Sequence, residues 1–253
     1  MRFLRTILKG GLLAGHLTLG AAAAVLSRRG LDERFARGWC RVACAILGLR
    51  VRRIGEPALG PALYAANHIS YLEVIALCSV TPLGFVAKEE VRRWPLIGTL
   101  GAAAGTLFLR RGSARAAAGA VAAAIERLAE GRSVAVFPEG TSTTGKDVLA
   151  FKASLFEAPA RLGCDVQPVS VFYPRMGGGP PVAPFVGDDE FVPHLLRVLA
   201  EPGVDITLTY APALSGHGRT REELAYASRE AVIAGLNGNR SFTGCLVAAS
   251  APR

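Results

Sequence analysis

Two polar clusters interrupt otherwise apolar stretches of the 253-residue sequence, and the first places a histidine near a carboxylate. His68 and Glu73 lie in the segment Asn67-His68-Ile69-Ser70-Tyr71-Leu72-Glu73, directly after the apolar run 62–66. A carboxylate that holds one imidazole nitrogen leaves the other free to take a proton from a hydroxyl, so this pair suits general-base catalysis. The alternative is that Glu73 only caps a helix and His68 is an ordinary turn residue.

The same segment carries a capping box, Ser70-x-x-Glu73, which predicts a helix with Ser70 as its N-cap. In that motif the carboxylate folds back over the first turn, toward the residues that precede the helix. Glu73 can therefore meet His68, although the same spacing within one continuous helix would put the two on different faces. No enzyme nucleophile is required, because an acceptor alcohol attacks.

The second cluster is rich in small residues and hydroxyls and follows the apolar run 133–137. It reads Phe137-Pro138-Glu139-Gly140-Thr141-Ser142-Thr143-Thr144-Gly145-Lys146. Backbone amides in such a loop can approach an oxygen-rich ligand closely. The glycine spacing does not fit the phosphate-binding pattern GxxxxGK[ST].

Short apolar runs alternate with helical stretches from about residue 60, which predicts an α/β fold. We expect a mixed, mostly parallel sheet flanked by helices, with the polar clusters at strand ends, where such sheets bind ligands. The predicted strands are 62–66, 84–87, 106–109, 133–137, 166–172 and 204–210, and the predicted helices are 70–80, 114–130, 152–162, 190–200 and 219–236. Residues 174–187 are predicted to form a loop, and 238–253 a loose tail.

The charge of the chain is concentrated at its N-terminus. Residues 1–53 contain eleven Lys and Arg but two acids, and the remaining 200 residues contain eighteen of each sign. The uncharged run 10–27 is borderline for a membrane span, and a signal peptide is the competing interpretation. Residues 31–48 predict a basic amphipathic helix with an aromatic anchor, for which a surface helix docked on the body is the alternative.

These features favour a two-helix element, residues 1–53, that docks on an anionic membrane surface. The predicted catalytic domain is 54–237, followed by the tail. Nucleic-acid binding is disfavoured, because the basic segment is paired with an apolar stripe and no recognition motif follows. The five cysteines form no CxxC pair and no Cys/His cluster, so we expect reduced thiols in the cytosol and no metal site.

Taken together, the motifs resemble the glycerolipid acyltransferase family, whose best-known members are 1-acylglycerol-3-phosphate acyltransferases. The first block of that family is commonly Asn-His-x-Ser-aromatic-Leu-Asp, and the others are Gly-x-x-Phe-hydrophobic-x-Arg and Phe-Pro-Glu-Gly-Thr. The matching stretches are 67–73, 85–91, 94–98, 105–111, 137–141, Phe151-Lys152 and 166–169, in the family's order.

The resemblance implies acyl transfer from acyl-CoA or acyl carrier protein to the free hydroxyl of lysophosphatidate in phospholipid biosynthesis, with no further cofactor. The site is then expected at the cytoplasmic face of the inner membrane. By the same analogy, His68 is the base and Glu73 its orienting partner. Arg111 is expected to bind the acceptor phosphate, because its planar fork pairs bidentately. The remaining expected substrate-binding residues are Glu139, Gly140 and Thr141 at the glycerol, and Lys88 and Lys152, for which a solvated surface position is the alternative.

Two departures from the family pattern bear on the acceptor. Glu73 replaces the usual aspartate, and Ser142 stands where many members have an arginine. Lyso-ornithine lipid acyltransferases, whose acceptor has no phosphate, share these blocks and also resemble the stretch 187–195. Acylation of another lysolipid such as lyso-ornithine lipid is therefore the alternative function. A catalytically weak membrane-associated binding module is the alternative from another class, whereas a hydrolase is disfavoured because no GxSxG elbow is present.

Overall fold

The computed structural model describes residues 1–27, 31–109, 114–174 and 181–250. Within these residues, seven strands form one sheet in the order β1-β7-β6-β2-β5-β3-β4. Neighbouring strands are parallel except for β6 and β7, which confirms the mixed, mostly parallel sheet. The strands are β1 (Leu49–Ile54), β2 (Ala62–Ala66), β3 (Gly84–Lys88), β4 (Leu107–Leu109), β5 (Val134–Val136), β6 (Asp165–Phe172) and β7 (Val204–Tyr210).

Helices cover both faces of this sheet. They are α1 (Arg2–Leu26), α2 (Glu33–Leu47), α3 (Leu72–Val80), α4 (Glu89–Arg92), α5 (Ile97–Ala103), α6 (Ala114–Ala129), α7 (Glu157–Leu162), α8 (Phe191–Ala200) and α9 (Arg221–Ser250), with a 3₁₀ helix at Ala153–Phe156. The short helices α4 and α5 were not predicted, because two turns or less give too little hydrophobic periodicity to recognise.

The core lies on both sides of the central strand β2. All five residues of β2 are buried, as expected for a parallel strand whose two faces are both covered. Tyr64 packs into a cluster with residues of α2 and α3, whereas Leu63 and Ala65 face a second cluster with residues of α6 and α9. The alternation of side chains along one strand therefore ties together the two layers of helices.

The strand β1 was not predicted, and it crosses the predicted domain boundary after residue 53. Its sequence, LRVRRI, reads as part of the basic N-terminal segment, and most of the strand is exposed at the sheet edge. Arg50 lies beside Asp205 of β7, with Nε 2.6 Å from Oδ1. The edge position explains the charges, because outward-facing side chains there remain in water.

The predicted loose tail is wrong for residues 238–250, because α9 continues to Ser250 instead of ending at residue 236. Two glycines and several polar residues lower the helix propensity after residue 236, but side-chain contacts hold the helix there. Arg240 donates to the carbonyl oxygens of Gly145 and Lys146, and Asn239 donates to Thr209 Oγ1.

Two cations of the helix α1, Arg5 and Lys9, face the body of the protein. Arg5 donates to Ala200 O at 2.9 Å, and Lys9 Nζ donates to Leu47 O at 3.1 Å and Glu201 O at 2.9 Å. These cations therefore bind backbone carbonyls at the C-terminal ends of α2 and α8, where the helix dipoles favour positive charge. The opposite side of α1 exposes large apolar side chains, namely Phe3, Leu4, Ile7, Leu8, Leu12, Leu19, Val25 and Leu26.

By length and composition α1 can also cross a membrane, and it is the one helix among the described residues that passes this test.

The apolar stripe of α2 does not face outward, as the favoured membrane-docking prediction requires. Ala43 and Leu47 are buried, and Arg41 donates to Ser79 O of α3 at 3.0 Å. Most of the α2 stripe thus packs on the body, as the docked-helix alternative described, and Phe35 and Val42 remain exposed.

We expect Lys9→Met to loosen the docking of α1, because two carbonyl oxygens at helix ends lose a charged donor. Hydrogen bonds to charged groups contribute about 1.5–3 kcal/mol, so the free energy of unfolding falls by about that amount. Urea unfolding in detergent, followed by tryptophan fluorescence, measures the loss. Arg2→Met is the matched control, because the Arg2 side chain is exposed on the same helix. Equal losses in both variants would contradict the assigned role of Lys9.

Candidate active site

The site lies where β2 and β5 end side by side. These strands are parallel and paired, with Leu63 opposite Val134 and Ala65 opposite Val136. Parallel neighbours deliver the segments that follow them to the same sheet edge. The His68 turn (residues 67–71) and the Glu139 loop (residues 137–149) follow these strands directly, so the sheet brings the two predicted clusters together.

Asn67 fixes the start of the His68 turn, a role that sequence reasoning missed. Its side chain is buried and continues the ladder of β2 with β6: Nδ2 donates to Val171 O at 3.0 Å, and Oδ1 accepts from Val171 N–H at 2.7 Å. The available signal was an asparagine directly after a buried strand. Since Asn67 occupies the place of one more strand residue, the chain leaves the sheet at His68.

Glu73 folds back over the turn as predicted. Its side chain is fully buried, and its carboxylate accepts hydrogen bonds from Ile69 N–H at 2.5 Å and from Ser70 N–H at 2.7 Å. The other half of the capping box is wrong, because α3 begins at Leu72 with Tyr71 before it, and Ser70 Oγ lies 3.4 Å from Leu72 N. The turn therefore extends one residue further than the motif implies.

His68 lies between this carboxylate and an aromatic ring. Its Nδ1 is 3.5 Å from Glu73 Oε2, an approach that is close but not a formed hydrogen bond. Its ring stacks on Phe137, with centroids 4.2 Å apart. The side chain is 23% exposed, so one edge remains open to a ligand. With Nδ1 directed at Glu73, Nε2 is the nitrogen that can accept a proton, and catalytic contacts of this kind tighten when substrate binds.

Glu139 joins the two motifs. It is buried, Oε1 accepts from His68 N–H at 2.7 Å, and Oε2 accepts from Leu149 N–H at 2.9 Å. Burial raises the pKa of this carboxyl above its ordinary value, although the two hydrogen bonds act in the opposite direction. Both oxygens of Glu139 thus bind backbone N–H groups of the protein. The predicted contact of Glu139 with the acceptor stays a prediction.

Gly140 and Lys152 meet at the outer side of the Glu139 loop. Gly140 has a φ of 74°, and a Cβ built on it would lie 2.3 Å from Lys152 Nζ. Glycine suits this backbone conformation, and a larger residue here would also require the Lys152 side chain to move. Thr141 is exposed beside them. Lys152 therefore lies beside the predicted loop, but its side chain is exposed, as the solvated alternative described, and its role at the substrate stays a prediction.

Two predicted residues cannot be placed with the others. Lys88 is the last residue of β3, and its side chain lies outside the described part of the structure. Arg111 falls within residues 110–113, which are also outside the described residues. Their expected roles at the acceptor phosphate stay predictions.

A third segment, which sequence reasoning did not assign to the site, crosses both motifs. This strap (residues 181–187) runs before α8, and its Phe185 contacts each motif through the backbone. Phe185 N–H donates to Ile69 O at 2.9 Å, and Ser142 Oγ donates to Phe185 O at 2.5 Å. Ser142, at the position where many family members have an arginine, therefore holds the strap.

Comparison with known proteins agrees with this geometry. The family model described as Acyltransferase matches residues 50–172. A lyso-ornithine lipid O-acyltransferase of Pseudomonas aeruginosa is 37% identical over 96% of this chain and 98% of that protein. The chain belongs to the lysolipid acyltransferase family. A 1-acyl-sn-glycerol-3-phosphate acyltransferase of Neisseria gonorrhoeae is 33% identical over 69% of each chain.

The fold of this acyltransferase also has a counterpart of known structure. The 1-acyl-sn-glycerophosphate acyltransferase PlsC of Thermotoga maritima superposes with a TM-score of 0.70 over 95% of this chain and 98% of that one, at 23% identity. The predicted fold and family resemblance are confirmed, and the chain is an O-acyltransferase. The binding-module alternative is accordingly set aside.

The raised pKa of Glu139 predicts a pH-dependent contribution to stability. A carboxyl whose folded pKa lies above its unfolded value of about 4.3 stabilises the fold most at low pH, and this contribution is lost as pH rises through the folded pKa. Glu139→Gln removes the titration. We therefore expect the difference in unfolding free energy, wild type minus Glu139→Gln, to fall as pH rises from about 4 to 7. Chemical denaturation at several pH values measures it, and a difference that rises with pH would refute the assignment.

Proposed function

We propose that this acyltransferase moves a fatty acyl group from a thioester, acyl-CoA or acyl carrier protein, to the free hydroxyl of a lysolipid, with His68 as general base. The arrangement of His68 against buried Glu73 carries the proposal. His68 Nε2 takes the hydroxyl proton while that oxygen attacks the thioester carbonyl carbon. The new C–O bond forms, the C–S bond breaks, and the proton passes from Nε2 to the leaving sulfur. Glu73 stabilises the imidazolium in between.

We propose lyso-ornithine lipid as the acceptor. Ser142 supports this proposal, because its hydroxyl is occupied by Phe185 O and it presents no cation to a phosphate. The Pseudomonas aeruginosa relative that carries this name matches almost the full length of both chains. A lipid with an amino-acid headgroup does not require the arginine that many family members have at position 142.

Lysophosphatidate is the second candidate. The block 105–111, with Arg111 at its end, supports this acceptor through its resemblance to the phosphate-binding block of the family. The Neisseria gonorrhoeae relative has that specificity in its name. Lys152, which lies against Gly140, offers a second positive charge beside the Glu139 loop.

We further propose that the enzyme works on the cytoplasmic face of an anionic membrane, with the exposed apolar side of α1 in the bilayer interface. The inward direction of Arg5 and Lys9 supports a helix that lies on the body, because a helix that leaves the body to span the bilayer would lose the contacts of both cations with carbonyl oxygens. The helix then contributes an apolar face at the depth of lipid acyl chains.

An acceptor panel with the full chain tests the chemistry. Wild type is expected to acylate lyso-ornithine lipid with acyl-CoA or acyl carrier protein as donor. His68→Ala is expected to lose about 10²–10⁴-fold in kcat/KM, because the general base is gone. His217→Ala is the matched control, because His217 is exposed away from the site.

The outcomes of the panel separate the two acceptors. Acylation of lysophosphatidate with no reaction on lyso-ornithine lipid selects the second candidate. Activity that survives in a folded His68→Ala variant removes His68 from the mechanism, whichever acceptor is used.

Membrane docking is tested by flotation with vesicles of phosphatidylcholine and phosphatidylglycerol. We expect the double variant Leu4→Gln and Leu8→Gln to bind at least about 10-fold more weakly, because burial of each leucine contributes roughly 1.5 kcal/mol or more. The matched control changes two exposed leucines elsewhere, Leu59→Gln and Leu162→Gln. Equal binding by the two double variants would contradict the proposed face.

A further inference from the structure

A hydrogen-bonded pair of a half-buried tyrosine and a fully buried histidine fastens the strap to the His68 turn. Tyr71 belongs to the turn, and His194 lies in the first half of α8. Tyr71 OH is 3.0 Å from His194 Nδ1, and His194 Nε2 is 3.1 Å from Pro184 O in the strap. His194 has no exposed surface. The pair therefore connects the His68 turn (67–71) to the strap (181–187) and to α8, which lie more than a hundred residues further along the chain.

The hydrogen-bond pattern fixes the direction of each donor. Pro184 O can only accept, so Nε2 carries the ring proton and donates. Burial, and secondarily the charge of Arg197, lowers the pKa of His194, which favours the neutral ring. In the neutral ring Nδ1 accepts, and Tyr71 OH must be the donor. Both ring nitrogens of His194 are thus satisfied, and one tautomer is selected.

Aromatic packing holds the pair in place. The ring of Tyr71 makes edge contacts with those of Phe185, Phe191 and His194, at centroid distances of 5.5, 5.0 and 5.4 Å. Phe185 also packs edge-on against His194 at 5.2 Å. Such edge contacts favour one relative orientation of the rings and oppose sliding of one ring past another.

This pair is continuous with the groups proposed to do chemistry. Tyr71 directly follows Ser70, whose N–H is bound by the Glu73 carboxylate. In the strap, the backbone N–H of Phe185 donates a hydrogen bond to Ile69 O, and its carbonyl oxygen accepts one from Ser142 Oγ. A displacement of the strap therefore moves the His68 turn and the Glu139 loop together.

We propose that Tyr71 and His194 are positioning residues for acyl transfer, which lock the strap so that His68 and Glu73 keep their reactive geometry. The proposal rests on the proposed role of His68. Neither residue needs to touch a substrate, so loss of the lock lowers the rate of the chemical step more than it weakens substrate binding. Misplacement of a reacting group by about 1 Å can reduce a rate about 100-fold.

The test uses the full chain with the lysolipid that wild type acylates and measures kcat and KM separately. Tyr71→Phe keeps the ring packing and removes the donor, so kcat is expected to fall about 10-fold or more with KM for the acyl donor within about twofold. His194→Leu removes both ring nitrogens and is expected to lose at least as much. His194→Asn keeps an acceptor near the position of Nδ1 and is expected to recover part of that loss.

A double-mutant cycle separates the lock from general destabilisation. If Tyr71 acts through His194, Tyr71→Phe has no further effect on kcat in the His194→Leu background. The matched controls are Tyr226→Phe and His217→Asn, which change the same residue types on the exposed surface and leave kcat unchanged. Should His194→Leu not fold, His194→Phe, which also lacks both ring nitrogens, replaces it in the cycle.

Each result decides between the proposals. Unchanged kcat in folded Tyr71→Phe, or additive losses in the cycle, overturns the positioning role and leaves the proposed function intact. Full activity in His68→Ala overturns the proposed base, and with it the reason for the lock. A wild type that acylates none of the lysolipids overturns both proposals.

Discussion

Three consecutive backbone N–H groups of the His68 turn point at two buried carboxylates. The amide of His68 donates to Glu139, and those of Ile69 and Ser70 donate to Glu73. A buried carboxylate is costly unless donors surround it, and charge-assisted hydrogen bonds of this kind are strong. The two acids also repel each other, which adds to the raised pKa of Glu139. The imidazole of His68 lies close to both, so the positive charge that it gains during proton transfer is stabilised by a negative environment built in advance.

This arrangement requires the order of the sheet. Glu73 can satisfy its own turn locally, but Glu139 reaches His68 only because β5 is paired with β2. On the other side of β2, Asn67 bonds to Val171 of β6. The turn is thus fixed by both neighbouring strands and by the helix that follows, and His68 gains a defined position on a segment that would otherwise be a loop.

The helix α8 links the N-terminal helix to the strap. Its first half carries Phe191 and His194, which pack on Tyr71, and Arg5 of α1 binds the carbonyl of Ala200 at its last residue. The same short helix therefore contacts both the helix proposed to meet lipid and the segment that crosses the site. The position of α1 relative to the His68 turn is therefore set by side chains that pack on α8.

Local sequence patterns predicted the α/β class, the bounds of β2 and β7, and the partnership of Glu73 with the His68 turn, because periodicity and capping are local effects. The family resemblance also came from the sequence, because the matching stretches occur in the family's order. The remaining features depend on contacts between distant parts of the chain. The edge strand β1 was not predicted, because its three arginines break the apolar pattern of a strand. The helix α9 continues beyond Gly238, where Arg240 and Asn239 form hydrogen bonds to other parts of the chain. Asn67, Phe185 of the strap and His194 each contact a residue more than a hundred positions away, and no local pattern encodes which distant groups a buried polar side chain will meet.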